Sequence, residues 1–359
     1  MKVLHLPTSV GGHATGLSKA ENSLGIDSQV LTRFRNYIDY NADIKLNYRK
    51  DTLWQKGLSF FKLLNVFLRI RNKYDIYHFN FGTTLLDIQQ FGLVLPDLPY
   101  YTKTGKIFVT YNGCDARQKY PTMKRTEIAP CFDKSCYNGL CNSGKQDRIR
   151  QKSIKKFSKY ASHIFALNPD LMWFLPEDIT SFLPYTISNF YEIERTQSEF
   201  DKKNIRLVHA PTNRAAKGSS IIINAVEQLQ KKYDFLELIL VENLSNKEAL
   251  KVYQTADILV DQVLAGWYGG VAVEAMKMGK PVLVYIRDAD LKFIPPTMKE
   301  DLEKAVINVN PLNITDMLER CIQDRQFLKT KSENGYDYVN KWHDPGEIAK
   351  TVKQIYENA

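Results

Sequence analysis

Gly266-Trp-Tyr-Gly-Gly-Val-Ala-Val-Glu274-Ala-Met-Lys-Met-Gly-Lys-Pro-Val282 is the stretch that decides how this chain is read. A glycine-rich turn feeding a helix presents backbone N–H groups that no helical carbonyl accepts, at the positive end of the helix dipole. Such a terminus holds phosphate, and glycine lets a bulky anion approach the main chain closely. Glu274 falls about one turn inside the helix, where a carboxylate can accept from the vicinal hydroxyls of a sugar. A bare Gly-Gly turn carries little weight, since tight turns are common. The Ala-Met-x-x-Gly-Lys-Pro-Val that follows makes the segment far more specific.

Outward from it the pattern is an alternation of strands and helices. Ile205–Ala210, Leu236–Val241, Ile258–Asp261 and Pro281–Tyr285 read as strands, with helices expected over Ser219–Lys232 and Asn246–Thr255. A first series precedes it. Strands are expected at Lys2–Leu6, Gln29–Leu31, Asp75–Phe79, Lys106–Tyr111 and His163–Leu167, with a turn at Gly11–Gly12 and helices over Ala14–Leu24, Thr52–Arg71 and Asp147–Tyr160. Alternation of this kind predicts a parallel sheet covered on both faces. The 359 residues, at roughly 150 per domain, suggest two domains. The first is expected over 1–190, with a basic, cysteine-rich loop at 112–145. A polar stretch at 191–204 reads as a linker, and 205–345 as the second domain. A C-terminal helix over 346–359 is expected to pack back on the first. Two doubly wound domains in tandem would place ligands in a cleft at the carboxyl edges of their sheets.

Composition excludes several classes. A chain that is 44% hydrophobic and 25% charged is not disordered. No apolar run approaches the ~18–20 residues of a membrane-spanning helix. The opening MKVLHLPTSVGG reads as a strand rather than a leader. The expectation is a cytoplasmic protein. The formal charge is +9, and all of that excess lies before residue 201, where 27 Lys and Arg face 18 Asp and Glu. Residues 101–160 alone hold 14 basic against 4 acidic side chains. An anionic partner for the first half, or a solvated basic face, accounts for this. No nucleic-acid-binding module is recognisable, so nucleic acid is not expected as a partner.

The Gly266–Val282 segment resembles the signature E-G-F-G-x-x-x-x-E-A-M-A-x-G-K-P-V of glycosyltransferase family 4, retaining enzymes of GT-B fold. His209-Ala-Pro-Thr-Asn-Arg-Ala-Ala-Lys-Gly218 is similar to that family's donor-phosphate loop, and Gly11–Gly12 to its N-terminal glycine loop. The resemblance implies a GT-B fold of two Rossmann-like domains. It also implies that Lys217 and Arg214 neutralise the diphosphate of a nucleotide sugar, that Glu274 binds its ribose, and that Tyr268, Gly269 and Gly270 supply backbone donors. No metal would be needed for catalysis. Thr110-Tyr-Asn-Gly-Cys-Asp-Ala-Arg117 resembles the family's H-G-x-D segment, with Asn112 where histidine is usual and Asp115 and Arg117 following. Asp115 and Arg117 read equally well as a structural ion pair. Two departures stand out. Gly266 occupies the place of the signature's first Glu, and Arg214 precedes Lys217 by three residues instead of five.

Other residues leave alternatives open. Asp261 and Gln262 end a strand, as ligand contacts or as loop hydrogen-bonding groups. His209 ends another, as a site residue or a local hydrogen-bond partner. Cys114, Cys131, Cys136 and Cys141 fall within 28 residues. Their spacing is compatible with a structural zinc site, with free thiols, or with disulfides or an iron–sulfur centre, disulfides being disfavoured in the cytosol. Thr52–Arg71 combines aromatics, Leu and basic residues without an acid, which suits a helix on an anionic membrane surface or one packed into the core.

Taken together, these residues lead to the expectation of a glycosyltransferase that moves a sugar from a nucleotide diphosphate donor, with retention, to a lipid-linked or polysaccharide acceptor in surface glycan synthesis, working at the inner face of the plasma membrane. A GT-B sugar-nucleotide epimerase and a catalytically weakened scaffold are the alternatives. A Rossmann dehydrogenase is disfavoured because Gly11–Gly12 lacks the G-x-G-x-x-G spacing.

Overall fold

The computed structural model describes residues 1–33, 40–46, 53–89, 92–196 and 204–359. Residues 197–203 of the expected linker, and Thr52 at the head of the apolar-basic helix, lie outside the described residues. The chain divides into two compact units. One comprises Met1–Gln118, Gly144–Ser188 and Pro345–Ala359; the other comprises Lys119–Ser143 and Asn189–Asp344.

In the first unit, β1 (Lys2–Leu6), β2 (Asp27–Thr32), β3 (Ile44–Lys45), β4 (Ile76–Asn80), β5 (Lys106–Tyr111), β6 (His163–Ala166) and β7 (Thr180–Phe182) form one sheet. Its order is β3-β2-β1-β4-β5-β6-β7, and every pairing is parallel. Side chains alternate between the two faces. Leu4, Leu6, Tyr77, Phe79 and Val109 pack against Leu63, Phe67 and Ile70 of the helix Leu53–Ile70 and Phe157 of the helix Lys145–Tyr160. Val3, Ile76, Phe108 and Phe165 point the other way. They meet Leu17 and Ala20 of the helix His13–Ser23, and Ile348, Val352 and Tyr356 of the last helix, Pro345–Asn358. That last helix is further tied by Tyr356, whose buried hydroxyl meets His78 Nδ1 at 2.5 Å and Glu21 Oε1 at 3.2 Å. Burial holds His78 well below the usual histidine range, so its imidazole is neutral.

The helix Leu53–Ile70 buries the 63, 67 and 70 stripe and leaves Phe61, Lys62, Leu68 and Arg69 exposed. It is therefore a core-packing helix whose outer face still mixes apolar and basic groups.

In the second unit, β8 (Ile205–His209), β9 (Leu236–Leu240), β10 (Ile258–Gln262), β11 (Val282–Val284) and β12 (Ile307–Asn308) lie in the order β12-β11-β10-β8-β9, again all parallel. Leu207, Ile258, Val260 and Leu283 form its centre, against Ile222 and Val226 of Ser219–Gln230 and Leu318 and Ile322 of Ile314–Gln323. Cys321 is also in this core, its thiol pushed up to about 12 by burial. The doubly wound parallel α/β class read from the alternation is present in both sheets. The short strands β3, β7 and β12 carry too few residues to show a period and lie outside the strands expected from the alternation.

One segment is placed differently from the sequence expectation. Lys119–Ser143, assigned above to the first domain, belongs to the second unit. The reason is a set of polar ties: Arg125 Nη1 to Asp290 Oδ1 at 2.7 Å, and Arg287 Nη2 to the Ile128 carbonyl at 2.8 Å.

Candidate functional site

In an open parallel sheet, the loops leaving two neighbouring strands in opposite directions create a crevice at the strands' carboxyl ends. In the second unit that switch point lies between β8 and β10, which pair with Val260 opposite His209. The loop after β8 runs to Lys217, and the loop after β10 runs to Gly270. These are the two segments singled out from the sequence.

Asp261, at the end of β10, holds the two loops together. Its carboxylate is fully buried, forms an ion pair with Lys217 Nζ, and accepts the Gly269 N–H at 2.7 Å. Lys217 ends the short helix Arg214–Lys217, capped by Asn213, whose side-chain oxygen accepts from the Ala216 N–H at 2.9 Å. Gly218 follows with φ +71°, and a Cβ there would stand 2.5 Å from Val263 Cγ2, so only glycine lets the chain pass. The helix Gly270–Lys277 begins after Gly269, whose carbonyl accepts from the Ala272 and Val273 N–H groups at 3.0 and 3.4 Å, while the amides of Gly270 and Val271 precede the helical ladder. An ammonium and a glycine amide thus converge on one anionic group, which is the arrangement a phosphate requires.

Gln262 is also fully buried, and its amide organises the turn. Nε2 donates to the Trp267 carbonyl at 2.9 Å and the Tyr285 carbonyl at 3.0 Å, while Oε1 accepts from Leu264 N–H at 2.7 Å and from Ala265 N–H. Of the two readings of Gln262, loop hydrogen bonding is the one its geometry satisfies. His209 is likewise a local partner. Its Nδ1 lies 2.8 Å from the Val260 carbonyl and must donate, so Nε2 accepts from the Ser219 hydroxyl at 2.7 Å. Burial lowers it to about 4, and it stays neutral.

Glu274 is 5% exposed and hydrogen-bonded to Asn246 Nδ2 at 2.7 Å. Burial pushes its carboxyl up to about 7, only partly offset by Asn246. A carboxyl group that titrates near neutrality beside an anion-binding turn marks a functional-site candidate. Asn246 was not anticipated. It opens the helix Asn246–Gln254 behind a Ser245–Glu248 capping box, and that local signature gives no hint of a partner 28 residues away.

Two further residues have local side-chain partners. The Arg214 guanidinium is exposed and forms a two-point pair with Glu242, at 2.8 and 2.6 Å. The Tyr268 ring is buried and stacked on Trp267, its hydroxyl 2.6 Å from the Tyr338 hydroxyl and 2.8 Å from His343 Nε2. Its side chain therefore anchors the turn. Gly266 has φ +82°, and a Cβ on it would stand 2.7 Å from Arg287 Nη1. A guanidinium fills the space beside it.

The first unit holds the remaining residues. Asp115 accepts the N–H groups of Asn112 (3.0 Å) and Gly113 (2.6 Å), closing the turn after β5, and burial raises it to about 6. Arg117 binds Asp170 at 2.6 and 2.9 Å, and its positive charge also acts on Asp115. Both side-chain polar atoms of Asn112 are buried without a hydrogen-bond partner among the described residues. Such a group costs about 1–3 kcal/mol until a ligand or water satisfies it. Gly11 and Gly12 have φ +60° and +78°, and a Cβ on Gly11 would fall on the Tyr185 hydroxyl. His13, which follows them, was not singled out from the sequence. Its Nδ1 accepts from the Thr186 N–H at 3.2 Å, Nε2 is buried without a partner among the described residues, and burial lowers the ring to about 3.

Among the described residues no three of His, Cys, Asp or Glu are grouped to hold a metal ion. Cys114 belongs to the first unit and Cys131, Cys136 and Cys141 to the second. None of the cysteines is in a disulfide. No helix among the described residues is long and apolar enough to cross a membrane.

Two parallel doubly wound sheets with a phosphate-type turn at a switch point define a class of fold, and comparison with solved structures identifies it as GT-B. The chain is similar to sucrose-phosphate synthase from Thermosynechococcus elongatus (TM-score 0.63, 14% identity, covering 99% of this chain and 98% of that one). It is also similar to S. aureus MnaA in its UDP co-structure (TM-score 0.54, 16% identity, 98% and 94% covered). A third similar structure is the spinosyn rhamnosyltransferase SpnG complexed with spinosyn aglycone (TM-score 0.50, 12% identity, 98% and 100% covered). No protein-family model matches the chain, and no curated protein matches it by sequence. The likeness is one of fold, and that fold is glycosyltransferase-like.

Proposed function

We propose that the chain is a retaining glycosyltransferase similar to family 4, using a nucleotide diphosphate sugar as donor. The observation that carries this reading is the convergence of Lys217 Nζ and the Gly269 N–H on the Asp261 carboxylate at the β8/β10 switch point. Asp261 engages the groups that would take a phosphate oxygen. Donor binding would redirect both toward the diphosphate, which is bulkier and more highly charged. Glu274, charged above about pH 7, would accept from the ribose hydroxyls.

The chemistry follows from those groups. Breaking a glycosyl–phosphate bond builds negative charge on the leaving diphosphate while the sugar becomes oxocarbenium-like. Lys217 and the amides at the start of Gly270–Lys277 would stabilise that charge without a bound metal. The UDP in one structural neighbour and the acceptor aglycone in another agree with a nucleotide-sugar donor. The first unit is proposed to take the acceptor, a lipid-linked or polysaccharide glycan of surface-glycan synthesis. Asn112, whose side-chain amide has no hydrogen-bond partner among the described residues, is a group there that would take a polar ligand. The exposed Phe61, Lys62, Leu68 and Arg69 face supports reversible docking on an anionic membrane.

The test is thermal shift of the purified protein against nucleotide sugars, followed by product analysis with a glycan acceptor in chelator. Selective stabilisation by nucleotide sugars, and transfer with the anomeric configuration kept, are expected. Isomerisation of the donor sugar without an acceptor would instead establish the epimerase reading. Donor binding with neither reaction would establish the scaffold.

A further inference from the structure

Behind the glycine-rich turn lies a cationic group that the donor reading does not use. Arg287 follows β11 and is 6% exposed. Its N–H donates to the Gly266 carbonyl at 3.0 Å, and its guanidinium lies against Gly266, with Nη1, Cζ and Nη2 at 2.7, 2.8 and 3.0 Å from where a Cβ would be. Nη1 donates to Asp290 at 2.9 Å and Nη2 to the Ile128 carbonyl at 2.8 Å, while Nε is buried with no hydrogen-bond partner among the described residues. Arg125 binds the second oxygen of Asp290 at 2.7 Å, so two guanidinium groups face one carboxylate.

We propose that Arg287 binds a carboxylate carried by the donor sugar, so that the donor is a nucleotide-linked acidic sugar. The proposal rests on the reading of the second unit as a nucleotide-sugar site. Gly266, against Arg287, and Gly269, beside Lys217, are three residues apart, which places them at most about 11 Å from each other. That is the scale of the step from a diphosphate to the far side of its attached sugar. A cation at each end of the turn matches a ligand with two separated anionic groups. The planar guanidinium suits a carboxylate, and its Nε–H is a buried donor to which a neutral hydroxymethyl group would bring no opposing charge. Gly266 is required for this arrangement, because any side chain there would displace the guanidinium.

The experiment is calorimetric titration with matched probes: UDP-glucuronic acid against UDP-glucose, GDP-mannuronic acid against GDP-mannose, and UDP and GDP alone. In the wild-type protein, the acidic member of the preferred pair should bind about tenfold tighter than the neutral one. Arg287→Gln should bring the two to equality while affinity for the nucleotide diphosphate stays within about twofold. Arg287→Lys should keep part of the preference. Asp290→Asn, which removes the competing carboxylate and leaves Arg287 in place, should enlarge it, and carries the test if Arg287→Gln does not fold. Equal binding of acidic and neutral sugars, or a preference that survives Arg287→Gln, overturns the proposal while leaving the donor site standing. Failure of every nucleotide to bind overturns the donor reading and this proposal with it.

Discussion

Lys217 and Asp261, 44 residues apart, form an ion pair in which the carboxylate is fully buried and the ammonium is 19% exposed. The carboxylate also takes the Gly269 amide. The pair ties the loop after β8 to the loop after β10 at the switch point of the second sheet. Breaking it from either side has different consequences.

Replacing Lys217 with Met should destabilise the protein by about 3 kcal/mol, because Asp261 is left buried with its charge unpaired. The double variant Lys217→Met/Asp261→Asn should recover much of that loss, and urea denaturation reads both. If the double variant is no more stable than the single, the ion pair does not govern the stability of the site. Donor use should fall by about 1.5–3 kcal/mol in either variant lacking Lys217, as a charge-assisted contact is lost.

Glu274 makes donor binding depend on pH. Its folded carboxyl titrates near 7, against an ordinary glutamate value of 4.5. The charged form, which accepts from hydroxyls more strongly, predominates only above about pH 7. Affinity for a nucleotide sugar should therefore rise between pH 6 and pH 8 and be flat in Glu274→Gln. The sign for stability is opposite. A raised folded value gives stability that is full below about pH 4.5 and lost as pH rises through about 7, so Glu274→Gln should be stabilising at pH 8 relative to the wild type. Parallel pH profiles for the two proteins would remove Glu274 from both roles.

Asp170→Ala should cost about 3 kcal/mol, since Asp170 is fully buried and Arg117 would lose both hydrogen bonds to it. Asp115→Asn should cost less, because that carboxyl is already raised to about 6 and acts mainly as an acceptor for two amides. Reversal of that ranking in denaturation midpoints would mean that the turn after β5, and not the ion pair, organises this corner of the first unit.

Membrane docking should involve the outer face of Leu53–Ile70 and exposed basic side chains. Each basic group close to an anionic surface contributes on the order of 1 kcal/mol, within a Debye length of ~8 Å. Sedimentation with vesicles containing phosphatidylglycerol should show binding at low salt that declines as salt rises. Phe61→Ser/Leu68→Ser, at two exposed positions, should weaken it without lowering the melting temperature. Charge reversal at the exposed Lys124 and Arg148 should weaken it further. Equal partitioning onto neutral vesicles, unaffected by these substitutions, would assign the basic excess to a soluble anionic acceptor.

Much of this protein could be read along the chain because the relevant signals are local. A strand such as Lys106–Tyr111 or Ile258–Gln262 declares itself through its own β-branched and aromatic residues, and the Gly269–Gly270 helix start through its own glycines. Alternation of such elements was enough for two parallel doubly wound sheets. What the chain could not show is which distant groups meet. Arg117 finds Asp170 across 53 residues, Arg214 finds Glu242, Lys119–Ser143 joins the rest of the second unit through Asp290 and Arg287, and Arg287 fills the space beside Gly266. Nor could sequence alone bring Glu274 close to neutrality, since that shift comes from burial. Local propensity depends on a residue and its neighbours, whereas charge pairing and desolvation depend on which segments pack together, and only the tertiary structure decides that.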